Sequence, residues 1–420
     1  MNIVLLSREL PISERNGGIG SFVWDIAHKL TEKGHNITII TANASKNKWG
    51  IEKIDSIKIF FVPNADFLIC SGQERSPLIR MNSKIRSLIN FRKYRKNILL
   101  VLNKLIKQKQ ADIIEVPDFG NEAFYFLRKK KREIPVVIRL HGPMIFDRKT
   151  CKKISLVKEL FYFFQPILEI KVLSLADALI SVSHNMIEFL KTTYPQLPLP
   201  PYKVIYNSIN IEDWIIPPSS KTKKKNNHFC ILFVGTLVES KGVLDLFNSI
   251  KKLRQNNYNI NLTMVGKTGR AGDEIKKICK KEKFDWVVMP GEVNRKTLVD
   301  YYISADLVCL PSWWENFSIA LIEAMWINGC VIASNCGGGK EIIEDRIDGY
   351  LVPPRNVIKL TETIKEVLNL RPEEKQRLIE NAKTKIRTEF NSEKMINKTE
   401  SFYKHIIQNF QRMKNENTLD

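Results

Sequence analysis

Two successive doubly wound, Rossmann-like α/β domains are what this chain predicts, on three observations. Short β-like runs alternate with helical stretches almost throughout, the rhythm of a mostly parallel sheet with helices on both faces. The 420 residues exceed what one hydrophobic core ordinarily supports. The alternation breaks at Pro217, Pro218, Ser219 and Ser220, followed by the lysine-rich stretch 221–225, which reads as an exposed linker. Ligands of such sheets sit beyond the carboxyl ends of the strands, so the expected site is a cleft across which the two domains face each other.

The first series of β-like runs covers residues 3–6, 37–41, 57–62, 113–116, 136–140, 178–182 and 203–206, with a helix over about 21–33. Residues 84–102 carry apolar side chains at helical spacing with a basic opposite face. A second series begins at Cys230 and runs through 231–234, 262–265, 286–289, 307–310 and 331–334, with helices between and a final helix over about 392–413. The expected domains are therefore 1–207 and 208–391.

A hydrophobic fraction of 44% and a charged fraction of 26% belong to a globular protein rather than a disordered or fibrous one. The first apolar run is met at once by Arg8 and Glu9, too short for the core of a signal peptide. No stretch of about eighteen uncharged apolar residues occurs, so a spanning helix is not expected. The cysteines at 70, 151, 230, 279, 309, 330 and 336 form no C-x-x-C pair and have no histidine at zinc spacing. They suit a reduced cytoplasm.

The formal charge of +21 is uneven, with 21 Lys and Arg against 8 Asp and Glu between positions 84 and 171. The aromatic stretch 160–164 lies close to Lys152, Lys153 and Lys158. Anionic lipid attracts such segments at about 1 kcal/mol per basic residue. Peripheral association with the inner face of the cell membrane is one reading, and a solvated lysine-rich face over a core helix is the other. Nucleic acid finds no zinc-finger spacing and no RNP-like motif here.

Glu315 and Glu323 stand eight residues apart in Pro311-Ser-Trp-Trp-Glu-Asn-Phe-Ser-Ile-Ala-Leu-Ile-Glu-Ala-Met325. The run 307–310 reads as a buried strand ended by Pro311 and Ser312, and Ser318 as the N-cap of a helix through Met325. Glu315 then precedes the helix and Glu323 lies about one turn inside it. The free N–H groups of Ser318, Ile319 and Ala320 sit between them, where an anion such as a diphosphate binds. Flanking carboxylates are suited to gripping hydroxyls, and a nucleoside diphosphate sugar carries hydroxyls on both sides of its phosphates. A capping box does not account for Glu323, because position 321 is Leu. Solvated surface glutamates are the plain alternative.

This segment resembles the glutamate pair, E-x7-E, of the retaining GT-B glycosyltransferases of family 4. After it come Gly329, the strand-like 330–334, Gly337-Gly-Gly339, Glu341 and Asp348-Gly-Tyr-Leu-Val-Pro353. Before it stand Phe233-Val-Gly-Thr-Leu237 with Lys241 and Gly242, Met264-Val-Gly266 and Pro290-Gly-Glu-Val293. The likeness covers the second half in order and spacing. It is looser in the first half, through Gly17-Gly-Ile-Gly20, His141-Gly142 and Val204-Ile-Tyr-Asn207. The resemblance implies transfer of a sugar from a nucleotide diphosphate sugar to an acceptor hydroxyl, with retention and with no cofactor. No D-x-D occurs, the acidic pair that holds a divalent ion in the other glycosyltransferase fold, which agrees with metal-independent transfer.

Roles follow from the resemblance position by position. Glu323 holds the ribose, Glu315 the donor sugar, and Lys241 the leaving diphosphate, an electrostatic role that grows as charge develops. Many relatives carry an Arg after the glycine equivalent to Gly235, but Thr236 stands here, leaving Lys241 as the main cation beside the backbone of Phe317, Ser318 and Ile319. Gly266 ends a strand whose loop faces the donor; Gly266-Lys-Thr268 is no Walker loop, since position 261 is Asn. Gly291 and Glu292 lie near the nucleotide base and Asn207 near the hinge. Gly17 and Gly18 lie beside the diphosphate and the acceptor, where glycine permits close backbone approach. A dinucleotide fingerprint fails at Val23, which disfavours a nicotinamide enzyme, and a plain turn is the alternative.

His141 ends the 136–140 strand and, by the resemblance, contacts the donor sugar near the reacting carbon. The resemblance implies retention by same-face attack assisted by the leaving phosphate, so His141 takes orientation and charge stabilisation rather than a general-base role; a structural histidine is the alternative. Glu115 and Asp118, at a neighbouring strand end, are read as orienting acceptor hydroxyls, with turn chemistry the alternative for Asp118. The basic first domain points to a glycan or lipid-linked acceptor, such as a growing surface polysaccharide. If the resemblance holds, the final helix, 392–420, crosses back to the first domain. A nucleotide-sugar epimerase or glycan phosphorylase of the same architecture competes with this reading. So does a non-catalytic binding protein, though that would be expected to lose Glu315, Lys241 or His141, and all three are present.

Overall fold

Parallel pairing of Val-, Ile- and Leu-rich runs builds two sheets, and the fully buried patterns of five inner strands are those of sheets covered on both faces. The structure, a computed structural model, describes residues 1–12, 17–42, 48–63, 77–142, 168–214 and 228–416, with the backbone alone over 77–88. The 217–225 linker and the aromatic 160–164 stretch with Lys152, Lys153 and Lys158 lie outside the described residues.

The first sheet contains β1 (Asn2–Leu6), β2 (Asn36–Ala42), β3 (Gly50–Ile54), β4 (Ile57–Val62), β5 (Ile113–Pro117), β6 (Val136–Leu140), β7 (Ala178–Ser181) and β8 (Tyr202–Val204). Their order is β3-β4-β2-β1-β5-β6-β7-β8. Ile3 faces Ile37 on one side and Ile113 on the other, and among the described residues only the β3–β4 pair is antiparallel. Its helices are α1 (Gly18–Glu32), α2 (Pro77–Lys107), α3 (Phe124–Leu127) and α4 (His184–Thr193). The first helix begins three residues before the expected start, so Gly18 and Gly20 form its opening turn and Gly17 is its N-cap.

The second sheet is wholly parallel, in the order β11-β10-β9-β12-β13-β14. Along the chain it takes β9 (Phe229–Val234), α5 (Val243–Gln255), β10 (Ile260–Val265), α6 (Arg270–Glu282), β11 (Val287–Gly291), α7 (Arg295–Ser304) and β12 (Leu307–Leu310). There follow α8 (Ile319–Ile327), β13 (Val331–Ser334), α9 (Gly339–Ile342), β14 (Tyr350–Val352), α10 (Val357–Leu368), α11 (Pro372–Glu389) and α12 (Ser392–Glu416). The chain winds outward from β9 to β11, then returns to β12 on the other side of β9. The switch point therefore lies between β9 and β12, where ligands of such sheets bind.

The chain divides into two units. One takes Met1–Val182, Glu188–Ile205 and everything from Ile396; the other takes Ser183–Ile187 and Tyr206–Met395. Inside the first unit Arg139 is the largest fully buried side chain. Its Nε and Nη2 donate to Glu115 at 2.8 and 2.9 Å, and the Tyr403 hydroxyl of α12 donates to the same carboxylate at 2.5 Å. Two charges are tolerated in this core because they meet in bidentate geometry, although the Arg139 Nη1 is left buried without a hydrogen-bond partner among the described residues. Among the described residues, no helix is long and apolar enough to cross a membrane.

Candidate functional site

Two close glycine approaches hold the loop between β12 and α8. Gly242, at φ +68°, ends the 3-10 turn Glu239–Lys241, and a Cβ there would lie 1.9 Å from the Pro311 carbonyl oxygen. With that contact made, the Trp313 N–H donates to the Ser240 carbonyl at 2.8 Å and the Lys241 ammonium meets the Glu315 carboxylate. On the other side Gly337, at φ +52°, would put a Cβ 1.8 Å from the Glu315 carbonyl oxygen, which accepts the Gly338 N–H at 2.9 Å. The Trp313 indole donates to Asp245 at 2.6 Å, and the Arg355 guanidinium lies 4.1 Å from its ring centroid. Glu315 is thus held by its backbone while its side chain stays part-exposed, 25% against 33% for Lys241.

Ser318 caps α8, its Oγ accepting the Leu321 N–H at 3.3 Å. Ile319 and Ala320 then carry N–H groups with no intrahelical acceptor, at the positive end of the helix dipole. Glu323 lies one turn in. The buried Tyr302 of α7 donates its hydroxyl to Glu323 at 3.2 Å, shared with the Ala320 carbonyl at 3.3 Å. Burial, then the Glu323 charge, push the phenol well above its ordinary range, so it remains a donor. Beside Glu315 a small recess is lined by Ser312, Ser318, Ser334 and Cys336. Burial pushes the Cys336 thiol up to about 11, with Glu315 adding to it, so this cysteine is no ready nucleophile.

This arrangement suits a diphosphate. A part-exposed Lys–Glu pair is worth on the order of 1 kcal/mol, so an incoming anion can take the ammonium at small cost and leave Glu315 free for hydroxyls. At the ends of the adjoining strands, the Gly235 N–H donates to Val265 at 2.9 Å and the Gly266 N–H to Gly291 at 2.8 Å. Gly235, Gly266 and Gly291 thus stand side by side along the carboxyl edge, next to Thr236. Glu292 is exposed just beyond.

Several expected contacts are corrected by their surroundings. Glu115, expected to orient an acceptor, is instead 4% exposed and committed to Arg139 and Tyr403. Asp118 is buried and accepts the backbone N–H groups of His141 and Gly142 at 3.1 Å each, so it shapes the end of β6. Phe317 is buried and stacks on Tyr206 at 5.5 Å with Phe390 edge-on at 5.6 Å, which leaves its backbone alone as a donor contact. Gly20 is small because a Cβ would fall 2.6 Å from the Glu9 carbonyl oxygen, whereas at Gly17 it would meet only the movable end of the Glu9 side chain and at Gly18 open space.

His141 stands half-buried after β6, with the Phe22 ring edge-on at 4.9 Å. Desolvation first, and the Arg139 charge second, hold its pKa down at about 3. It is neutral at physiological pH, so its imidazole can offer a hydrogen bond but not a positive charge. Sequence reasoning missed Tyr302, Ser240 and the Trp313–Asp245–Arg355 group, because no motif spacing links them to the glutamates.

Two doubly wound units, with a lysine, paired carboxylates and a free helix N-terminus at one switch point, define the GT-B class of transferases. The chain belongs to the group 1 glycosyltransferases of family 4. "Glycosyl transferases group 1" matches residues 218–385 and "Glycosyltransferase Family 4" matches residues 16–213. An uncharacterized glycosyltransferase of Methanocaldococcus jannaschii is 34% identical over 176 residues, 40% of this chain and 45% of that protein. The lipopolysaccharide 1,2-N-acetylglucosaminetransferase of Salmonella typhimurium is 28% identical over 232 residues, 52% of this chain and 60% of that protein. The match thus spans about half the length of these relatives. Among solved structures, Anabaena HepE in complex with UDP and glucose superposes with a TM-score of 0.64 at 17% identity, covering 96% of this chain and 99% of that one.

Proposed function

We propose that this protein moves a sugar from a nucleotide diphosphate sugar to an acceptor hydroxyl, with retention at the anomeric carbon and without a metal. The observation that carries the reading is the Lys241–Glu315 contact beside the free amides of Ile319 and Ala320, with Glu323 one turn further on. The diphosphate takes Lys241 and the two amides; Glu315 turns to the sugar hydroxyls and Glu323 to the ribose. As the bond from the anomeric carbon to the phosphate oxygen breaks, charge grows on that oxygen, where the ammonium and the helix terminus are already placed. The acceptor oxygen bonds to the same face and its proton passes to the leaving phosphate, giving a glycoside and a nucleoside diphosphate. The resemblance gives His141 a sugar contact, and its neutral imidazole makes that contact by hydrogen bonding.

The names of the relatives support the substrate classes. One solved neighbour holds UDP and glucose, and the Salmonella relative acts on lipopolysaccharide. A glycan or lipid-linked acceptor of surface polysaccharide or glycolipid synthesis, reached from the cytoplasm, is the reading they favour. A thermal-shift screen of UDP, GDP and ADP sugars tests it, since a ligand at about 100 times its Kd stabilises by about 2.7 kcal/mol. One donor should raise the midpoint in the wild type and fail to do so in Glu323→Gln. No shift with any donor, or unchanged turnover when Glu315 and Glu323 are both Gln, sinks the proposal.

A further inference from the structure

α2 has two unlike faces over its described side chains. Tyr94, Ile98, Leu102 and Leu105 are fully buried in the first unit. On the opposite face Arg92, Lys93, Lys96, Lys104 and Lys107 are all exposed, and Ile89 and Leu100 lie among them at 49% and 61% exposure. These positions recur at three- and four-residue steps, so they form one stripe along the helix. From Ile89 to Lys107 the stripe runs about 27 Å at 1.5 Å per residue.

The helix contains no Asp or Glu over Pro77–Lys107, and among the described residues none of the five exposed cations has an ion-pair partner. Some exposed cations elsewhere do meet acids three or four residues away, as in Arg371–Glu374 at the start of α11 and Lys404–Glu400 and Arg412–Glu416 in α12, whereas α2 holds no acid that could do so. Lys129 donates to Asn103 at 2.6 Å, which brings the exposed Lys130 and Lys131 alongside the same helix.

We propose that this stripe docks on an anionic lipid bilayer, with the α2 axis in the membrane plane, the cations on lipid phosphates, and Ile89 and Leu100 in the headgroup–acyl boundary. Uncompensated positive charge selects a polyanion. The two exposed aliphatic side chains then distinguish a membrane from a nucleic acid: they gain by leaving water for an apolar layer, and a phosphate backbone offers none. The exposed stripe also lacks an aromatic ring on which bases would stack.

The test is flotation of the full chain with phosphatidylcholine vesicles, with and without phosphatidylglycerol, beside a duplex DNA gel shift at the same ionic strength. The wild type should float with the anionic vesicles alone and be released by high salt. Lys93→Glu/Lys96→Glu should lower the partition at least about tenfold, and Lys93→Gln/Lys96→Gln should lower it less. Leu100→Asp should lower it as well. All three positions are exposed, so the variants should melt with the wild type. Absence of flotation, or flotation that the lysine variants leave unchanged, overturns the proposal. So does flotation indifferent to Leu100→Asp with DNA bound equally well, which marks a general polyanion surface.

Discussion

The Asp118 carboxylate accepts the backbone N–H groups of His141 and Gly142 at 3.1 Å each, tying the turn after β5 to the end of β6. A residue read as an acceptor contact is instead the anchor of the histidine beside it. The backbone position of His141, and with it the aim of the imidazole, depends on this carboxylate.

Burial pushes Asp118 up to about 7, against the pull of those N–H donors, from an ordinary 3.8. Between those values the folded state holds a proton that the unfolded state has lost. The stability Asp118 contributes is therefore complete below about pH 4 and is lost as pH rises through about 7. Asp118→Asn removes this dependence. Urea unfolding of both proteins at a series of pH values should show the wild type losing on the order of a few kcal/mol relative to the variant from pH 4 to 8. Equal slopes would show that Asp118 is ionised freely in the fold.

Tyr302 orients Glu323 through the shared hydroxyl contact at 3.2 Å. Hydrogen bonds to charged groups are worth about 1.5–3 kcal/mol, so Tyr302→Phe should raise the donor KM by about tenfold or more while kcat changes little. In a Glu323→Gln background the same substitution should add almost nothing. Additive losses in that cycle would assign Tyr302 a packing role alone.

Much of the fold was legible because its physical signals are local. The run 307–310, the proline after it and Ser318 at the cap place Glu315 before a helix and Glu323 within it, and the structure puts both there. Partners distant in the chain were not legible. Glu115 lies 24 residues from Arg139 and 288 from Tyr403, and burial of a strand says nothing of which charge will meet which. Tyr302 looks like one more apolar position of α7, although its hydroxyl defines how Glu323 is held. Gly242 and Gly337 were visible as glycines, but the reason for them lies in the Pro311 and Glu315 carbonyls packed against them.

Those two glycines make a sharp contrast with Gly18. Gly242→Ala and Gly337→Ala each place a methyl within 2 Å of a carbonyl oxygen at a positive φ. Each should displace the Glu315 loop, cost about 2 kcal/mol or more of stability and remove most activity. Gly18→Ala meets open space within a helix and should be neutral or gain up to about 1 kcal/mol. Melting curves and donor turnover for the three variants decide it; a Gly242→Ala protein with intact turnover would separate Lys241 from Glu315 in function.

In the proposed reaction Lys241 faces the charge that develops on the leaving phosphate, whereas Glu315 binds hydroxyls already present in the ground state. Lys241→Met should therefore lower kcat by about 10²–10³-fold, the loss expected when one oriented donor to a developing charge is removed. Its donor KM should change much less. A loss confined to KM would place Lys241 in ground-state binding only.

Arg139 and Glu115 offer a test of the first unit's core. Removing one member of a buried pair leaves the other charged and unmatched, a cost of about 3–5 kcal/mol, whereas replacing both with apolar side chains of similar size is often near neutral. Arg139→Met alone should therefore destabilise strongly, since Glu115 would keep only the Tyr403 hydroxyl. Arg139→Met with Glu115→Leu should recover most of that loss, leaving a smaller deficit from the unpaired Tyr403 hydroxyl. Recovered stability with turnover near the wild-type level would place Glu115 wholly in the scaffold. Recovered stability with the acceptor KM raised would return it to the substrate.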